Sequence, residues 1–177
     1  STLDAKGQSR IFNITSGVSV TLNNINFING KAPEVDNMAF GGAIYTLGGS
    51  VTVTNSTFNN NEASAPGTSR GGAIYSNGNV TVINSNFTNT TAIDIDALSY
   101  GGAISGYNIT VINSTFTNTE SRYGGGAISG ENIVTVINST FKDTSSQYGG
   151  AISGYNITMI NSTFTNITSR GRGAISG

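Results

Sequence analysis

Two acidic residues, Asp94 and Asp96, come nearest in this sequence to a catalytic or metal-binding pair. In an extended segment alternate side chains share a face, so the two carboxylates would point the same way. Such carboxylates can bind Ca²⁺ or take part in polysaccharide cleavage. Because they lie in a loop outside the repeating segments, a solvated loop is the simpler interpretation. We therefore predict no catalytic and no cofactor site, and keep Asp94 and Asp96 as a weak metal-site candidate.

Other common chemistries lack their residues. The sequence has no histidine and no cysteine, which excludes a Ser-His-Asp relay and thiolate metal sites. The formal net charge is −1, and the eight basic residues are scattered. The chain therefore lacks the basic surface that nucleic acid requires. No apolar run approaches the ~20 residues of a membrane span, so we predict no membrane insertion of this segment.

Tyrosine and threonine suggest binding surfaces of two other kinds. The tyrosines lie around one segment of the repeat described below, and form either a packed row or a stripe that contacts sugars or proteins. They are Tyr45, Tyr75, Tyr100, Tyr107, Tyr123, Tyr148 and Tyr155. Thr-x-Thr pairs of the kind that can bind ice occur twice, but the array is interrupted. The pairs and the interruptions are Thr115/Thr117, Thr163/Thr165, Asn59, Asn86 and Lys142.

Asparagine sequons are numerous, partly because the composition is rich in asparagine and threonine. Those near predicted corners are the better acceptors for glycosylation. These candidates are Asn89, Asn108, Asn156 and Asn166.

An internal repeat positions all of these residues. Gly-Gly-Ala-Ile begins at residues 41, 71, 101, 125 and 149, and a shortened Gly-Ala-Ile begins at residue 173. Asn-x-x-Phe keeps pace and begins at residues 24, 55, 84, 113, 138 and 161. Self-similarity at such a spacing is typical of solenoids.

Each unit predicts three short strands: Gly-Ala-Ile, then an alternating segment such as Val51-Thr52-Val53, then Thr-Phe-Thr. Strands with equivalent sequences pack best when each one stacks on its counterpart in the next repeat, about 4.8 Å away. We therefore predict an all-β fold, a right-handed single-stranded parallel β-helix (solenoid) of about six coils.

Stacking places equivalent side chains in columns. The predicted interior column is Phe27, Phe58, Phe87, Phe116, Phe141 and Phe164. At the bend before it we predict a ladder of hydrogen-bonded side-chain amides. Its members are Asn24, Asn55, Asn84, Asn113, Asn138 and Asn161.

Residues 1–177 are predicted to form one β-helix domain. Residues 1–40 hold a degenerate first coil, residues 41–172 hold five repeat coils, and residues 173–177 begin a further coil. An exposed solenoid edge must be covered or paired. We therefore expect residues 173–177 to pair with β-structure outside this chain, in a longer repeat protein or in the next subunit of a head-to-tail filament.

Insertions lengthen the first three coils at residues 31–40, 60–70 and 89–100. In repeat proteins such insertions fall on one face and often carry binding. We predict that they form the recognition surface.

The combination of Gly-Gly-Ala-Ile with Asn-Ser-Thr-Phe resembles the repeat of chlamydial polymorphic outer-membrane proteins. It is still more similar to adhesin-like surface proteins of methanogenic archaea. The opening segments of those proteins resemble residues 3–14 and 20–30 of this chain. The resemblance covers nearly the whole chain, and its in-phase repetition makes it specific. It implies a surface-exposed, right-handed β-helix with a role in attachment, and it implies no catalytic residues.

We therefore predict a non-enzymatic, extracellular or cell-surface scaffold, as a section of a longer adhesin or a subunit of a filament. Its expected partners are other surface proteins or glycans, with head-to-tail self-association as a further option. The alternative function is a polysaccharide-active lyase or hydrolase, which would need a groove with several converging carboxylates. Ice binding is a less favoured alternative.

Overall fold

The computed structural model describes residues 1–94 and 98–177. In that part of the chain the regular elements are strands, and no helix is long and apolar enough to cross a membrane. The strands pair in parallel with their counterparts one repeat away, as Ile74 does with Ile104. The predicted all-β parallel solenoid is confirmed, and its coil count agrees roughly with the expected six.

The phenylalanine sheet stacks the short Thr-Phe-Thr segments of successive coils. Alternation turns each phenylalanine inward and its two neighbours outward. From Phe27 to Phe164, successive ring centroids lie 4.5 to 5.0 Å apart with interplanar angles of 1° to 10°. This spacing equals that of neighbouring strands, so the rings stack in one column. The strands are Thr2–Asp4, Asn26–Ile28, Thr57–Asn59, Asn86–Thr88, Thr115–Thr117, Thr140–Lys142 and Thr163–Thr165.

The other two predicted strands of each coil share the isoleucine–valine sheet. In the central coils they fuse into one long strand, which differs from the separate strands expected. The two strands fuse because the connection between them is short. In the strand Ile104–Ile112 it consists of a register shift between Gly106 and Asn108. The sheet contains Phe12–Ile14, Val20–Asn23, Ile44–Thr46, Val51–Thr54, Ile74–Ile83, Ile104–Ile112, Ile128–Ile137, Ile152–Ser153, Asn156–Ile160 and Ile175–Ser176.

The Gly-Gly corner requires both of its glycines, as the pair at residues 101 and 102 illustrates. Gly101 has a φ of 64°, in the left-handed region where glycine has no Cβ penalty. At Gly102 the reason is space, because an added Cβ would overlap the backbone carbonyl oxygens of Gly126 and Glu120. The repeated Gly-Gly therefore permits successive coils to approach backbone to backbone.

A serine row, buried except at its last member Ser162, satisfies the backbone at the bends between the coils and was not anticipated from the sequence. Each hydroxyl accepts the N–H of the equivalent residue one coil earlier at 3.1 to 3.2 Å. It donates to the carbonyl two residues before itself at 2.7 to 3.0 Å. Buried backbone groups need such partners wherever the strand ladder is interrupted. The row is Ser56, Ser85, Ser114, Ser139 and Ser162.

Two smaller sheets complete the coils after the phenylalanine strand. The corner sheet contains Glu62–Ala63, Thr91–Ala92, Glu120–Ser121, Ser145–Ser146 and Thr168–Ser169. The insertion sheet contains Met38–Phe40, Thr68–Arg70 and Leu98–Tyr100. The three strands of the insertion sheet therefore stack in register like the rest of the solenoid.

Candidate functional site

The acidic pair is only partly within the described residues. Asp94 is half-buried; its Oδ2 lies 3.5 Å from the Ser64 hydroxyl, and its backbone carbonyl lies 3.4 Å from Arg122 Nη1. Asp96 lies outside the described residues. Within residues 1–94 and 98–177, no group of three or more acidic side chains is placed to hold a metal ion.

The described parts of the insertions at residues 31–40, 60–70 and 89–100 add a side layer with a small core of its own. The core residues are Ala32, Ala39, Ala63 and Ala65. The insertion strands end in register at Phe40, Arg70 and Tyr100, directly before the Gly-Gly corner. The insertions therefore deliver large side chains to the surface beside that corner.

The asparagines of the predicted ladder share a left-handed backbone, with φ between 48° and 56° from Asn24 to Asn161. Asparagine tolerates this conformation better than most residues, which explains its recurrence at the bend. Asn84 Nδ2 donates to Asn55 Oδ1 at 3.3 Å, and Asn55 Nδ2 donates to Asn23 Oδ1 at 3.2 Å. The bend therefore depends on backbone conformation as well as on amide hydrogen bonds.

The candidate glycosylation sites differ in how their amides are engaged. Asn108 uses both side-chain groups, because its Nδ2 donates to Asn79 at 3.0 Å and its Oδ1 accepts from Asn132 at 2.9 Å. Asn89 Oδ1 accepts from a neighbouring coil at 2.7 Å, and Asn166 Nδ2 donates to another at 3.0 Å. Asn156 is exposed at the start of Asn156–Ile160, which favours it as an acceptor.

The outward face of the phenylalanine sheet contains two polar columns, in which Thr115 and Thr117 stand side by side. Asn86 and Thr140 flank Thr115 in the first column, and Lys142 follows Thr117 in the second. The mixture of side-chain lengths interrupts a regular threonine array.

The first part of the tyrosine row is packed. Tyr75 stacks against Phe40 and Tyr45, with ring centroids 4.8 and 5.7 Å away. The Arg10 guanidinium lies 4.4 Å from the Tyr45 ring centroid, and Arg10 Nη2 donates to the Phe40 carbonyl at 2.6 Å. Burial lowers the pKa of Arg10 and raises the pKa of Tyr75. This end of the row serves as packing for the insertions.

The second part of the row borders a groove. Tyr123 contacts Tyr100 and Tyr148 edge to face, with centroid distances of 5.4 and 5.0 Å. The Arg70 guanidinium lies 5.2 Å from the Tyr100 ring centroid, and that of Arg172 lies 5.5 Å from Tyr148. Burial raises the pKa of Tyr100. These side chains line a cavity of about 730 Å³.

The groove exists because one outward position of the isoleucine–valine sheet changes along the chain. Tyr45 and Tyr75 pair at this position in the earlier coils. The later coils carry Ser105, Ser129 and Ser153 in the same register. Ser129 and Ser153 line the groove, where their small side chains leave open the space that a tyrosine ring fills in the first coils. The motif therefore changes from Gly-Gly-Ala-Ile-Tyr to Gly-Gly-Ala-Ile-Ser-Gly where the groove begins.

The floor and far side of the groove are polar. Ser129 and Ser153 hydrogen-bond through their hydroxyls at 3.2 Å. Glu131 and Tyr155 follow the floor segments, and the Glu131 carboxylate forms an ion pair with the Arg70 guanidinium. In the described part of the chain, Glu131 is the one carboxylate that lines this groove. Hydrolysis of a glycosidic bond ordinarily requires two.

The tyrosines were identifiable from the sequence as candidates, but Arg70, Glu131, Arg172 and the groove serines were not. The signal was present in the repeated Ser-Gly that follows Gly-Gly-Ala-Ile in the later coils. Recognising it requires knowing that residue 75 and residue 105 occupy one register.

Comparison with known families gives a match within this fold. Residues 55–77 match the model of the Chlamydia polymorphic membrane protein (Chlamydia_PMP) repeat. The matched stretch includes both repeat motifs, from Asn55 and Phe58 to Gly71 and Ile74. The predicted similarity to this repeat is therefore confirmed. Searches of the curated proteins and of the solved structures find no match to the chain.

Proposed function

We propose that this chain is a non-enzymatic, adhesive scaffold at a cell surface. The observation that carries the proposal is the match of residues 55–77 to a repeat of chlamydial polymorphic membrane proteins. The same two motifs recur along residues 41–175, which supports a similar repeat in the other coils. A repeat of this type supports an outer-membrane or other surface location.

The stacked core suits the chain to a mechanical role. Each coil contacts its neighbours through strands, the phenylalanine column and the serine row, so the core is continuous along the solenoid. A continuous solenoid of this kind suits the display of surface side chains away from a point of attachment. The insertion strands and the aromatic groove lie on such a framework.

The composition of the groove supports binding over catalysis. Its described lining contains Glu131 as a carboxylate, and Arg70 neutralises that charge. A polysaccharide-cleaving site of the kind considered above would need further converging carboxylates. Surface glycans and surface proteins are the partners that we propose for the scaffold, with head-to-tail contacts between copies as a further option.

Localisation and attachment are tested separately. An antibody against this chain should label intact cells of the source organism as strongly as permeabilised cells. Fluorescent beads coated with the folded chain should attach to cell surfaces more than beads coated with the heat-unfolded chain. Labelling that requires permeabilisation, or equal attachment of both kinds of bead, would contradict the proposal.

A further inference from the structure

We infer that the groove between Tyr123 and Tyr155 binds an extended oligosaccharide chain. The inference rests on the proposed adhesive function and adds the chemical class of the ligand. The groove is lined by residues of successive coils, and its volume of about 730 Å³ lies in the usual range of ligand sites.

Two tyrosines with exposed surface line the groove. Tyr123 is 38% exposed and Tyr155 is 82% exposed. A pyranose ring presents C–H groups on its faces and hydroxyls around its edge. Tyrosine matches that pattern, because its ring offers an apolar surface and its hydroxyl offers a hydrogen bond. The edge-to-face contacts of Tyr123 with Tyr100 and Tyr148 hold its ring in place.

The floor supplies hydrogen-bonding groups at the period of the solenoid. Ser129 and Ser153 pair in register, so a serine recurs once per coil on strands about 4.8 Å apart, and the two hydroxyl oxygens lie 3.2 Å from each other. A sugar unit in an extended chain advances by a distance similar to the strand spacing. A floor whose residues repeat once per coil therefore fits a repeating polymer better than the irregular surface of a folded protein.

Charged groups at the rim complete the set of contacts. Arg70 and Glu131 form an ion pair beside the floor, and such a pair offers donors and an acceptor to sugar hydroxyls. Arg172 lies over Tyr148 and presents a guanidinium to the same space. The groove is too weakly basic for a nucleic acid, whose phosphates require several cations.

Binding of an immobilised panel of neutral and uronic-acid-containing oligosaccharides to the full chain tests the inference. Two variants change the groove in opposite ways. Tyr123→Ala removes an aromatic face, and Ser153→Tyr fills the floor with the side chain that Tyr45 and Tyr75 already place at this register. Each should weaken binding about tenfold or more, the effect of losing one aromatic contact.

Tyr107→Ala is the matched control, since Tyr107 is 45% exposed but is not among the lining residues of the groove. It should leave binding unchanged, and circular dichroism should show that all three variants keep the wild-type fold. The inference is overturned if no oligosaccharide binds, if both groove variants bind as the wild type does, or if a peptide library occupies the groove instead.

The same variants separate this inference from the proposed function. If Ser153→Tyr beads still attach to cells, adhesion stands and the groove is not its site. If oligosaccharides bind in the groove but the protein is absent from the cell surface, the groove assignment stands and the surface function is wrong.

Discussion

The backbone N–H of Ser85 donates to the hydroxyl oxygen of Ser114 at 3.1 Å, across the step between two coils. Ser114 in turn donates its hydroxyl hydrogen to the carbonyl of Ile112 at 2.8 Å. One side chain therefore satisfies two backbone groups at a bend. Both serines are buried, so water cannot replace the lost partner.

Replacing Ser114 with alanine should lower the free energy of unfolding by about 1–3 kcal/mol, because it leaves a buried N–H without an acceptor. Ser162→Ala is the control, since Ser162 makes the same two bonds but is only half-buried. It should cost clearly less. Urea denaturation measures both, and equal losses would contradict the role of burial.

The phenylalanine column predicts a second stability effect. Phe116 is fully buried between Phe87 and Phe141, with ring centroids 4.8 and 4.9 Å away. Phe116→Ala should cost about 3–5 kcal/mol, the usual range for loss of a buried phenylalanine. Phe164→Ala should cost less, because Phe164 is only partly buried. A loss at residue 116 no larger than that at residue 164 would contradict a continuous core.

The glycine corner predicts a steric effect. Gly102→Ala should destabilise the fold by about 3 kcal/mol or more, since its Cβ would press on backbone atoms of the next coil, which cannot rotate away. Gly7→Ala isolates the conformational cost alone. Gly7 has a φ of 69° with open space around it, so about 1–2 kcal/mol is expected. Thermal unfolding of the two variants gives the comparison.

Asp4 predicts a pH dependence at the start of the solenoid. Asn29 Nδ2 donates to Asp4 Oδ1 at 2.9 Å and the Lys6 N–H donates to it at 2.8 Å, and these bonds lower the pKa of Asp4 below 3.8. A carboxyl group whose pKa is lower in the folded state than in the unfolded state stabilises the fold at pH values above its unfolded-state pKa. That contribution is lost as the pH falls through the folded pKa.

An NMR titration of the Asp4 carboxyl carbon checks this assignment. In the wild type the midpoint should lie below 3.8, and in Asn29→Ala it should move up towards that value. Asn60→Ala serves as the control, because Asn60 contacts Asn29 and not Asp4 in this row. If the midpoint is the same in Asn29→Ala as in the wild type, the Asn29 hydrogen bond is not the cause of the lowered pKa of Asp4.

Several elements were predictable from the sequence because they depend on period alone. Phe58 and Phe87 occupy equivalent places in successive repeats, and equivalent side chains stack when strands pair in parallel. The spacing of the two motifs was therefore enough to predict the solenoid. It was not enough to predict the fusion of strands into Ile104–Ile112, which depends on whether a short connection keeps its ladder hydrogen bonds.

The repeat period did not predict the groove. Arg70 and Glu131 are 61 residues apart and occupy different places in the repeat, yet their side chains meet. Their contact depends on the width of the corners and on the small side chain of Ser129 in the groove floor. The sequence by itself determined which residues stack along the solenoid, because stacking follows from equivalence. Only the tertiary structure decided which columns of side chains face each other across the groove. The distance between two such columns depends on the path of the backbone through each corner.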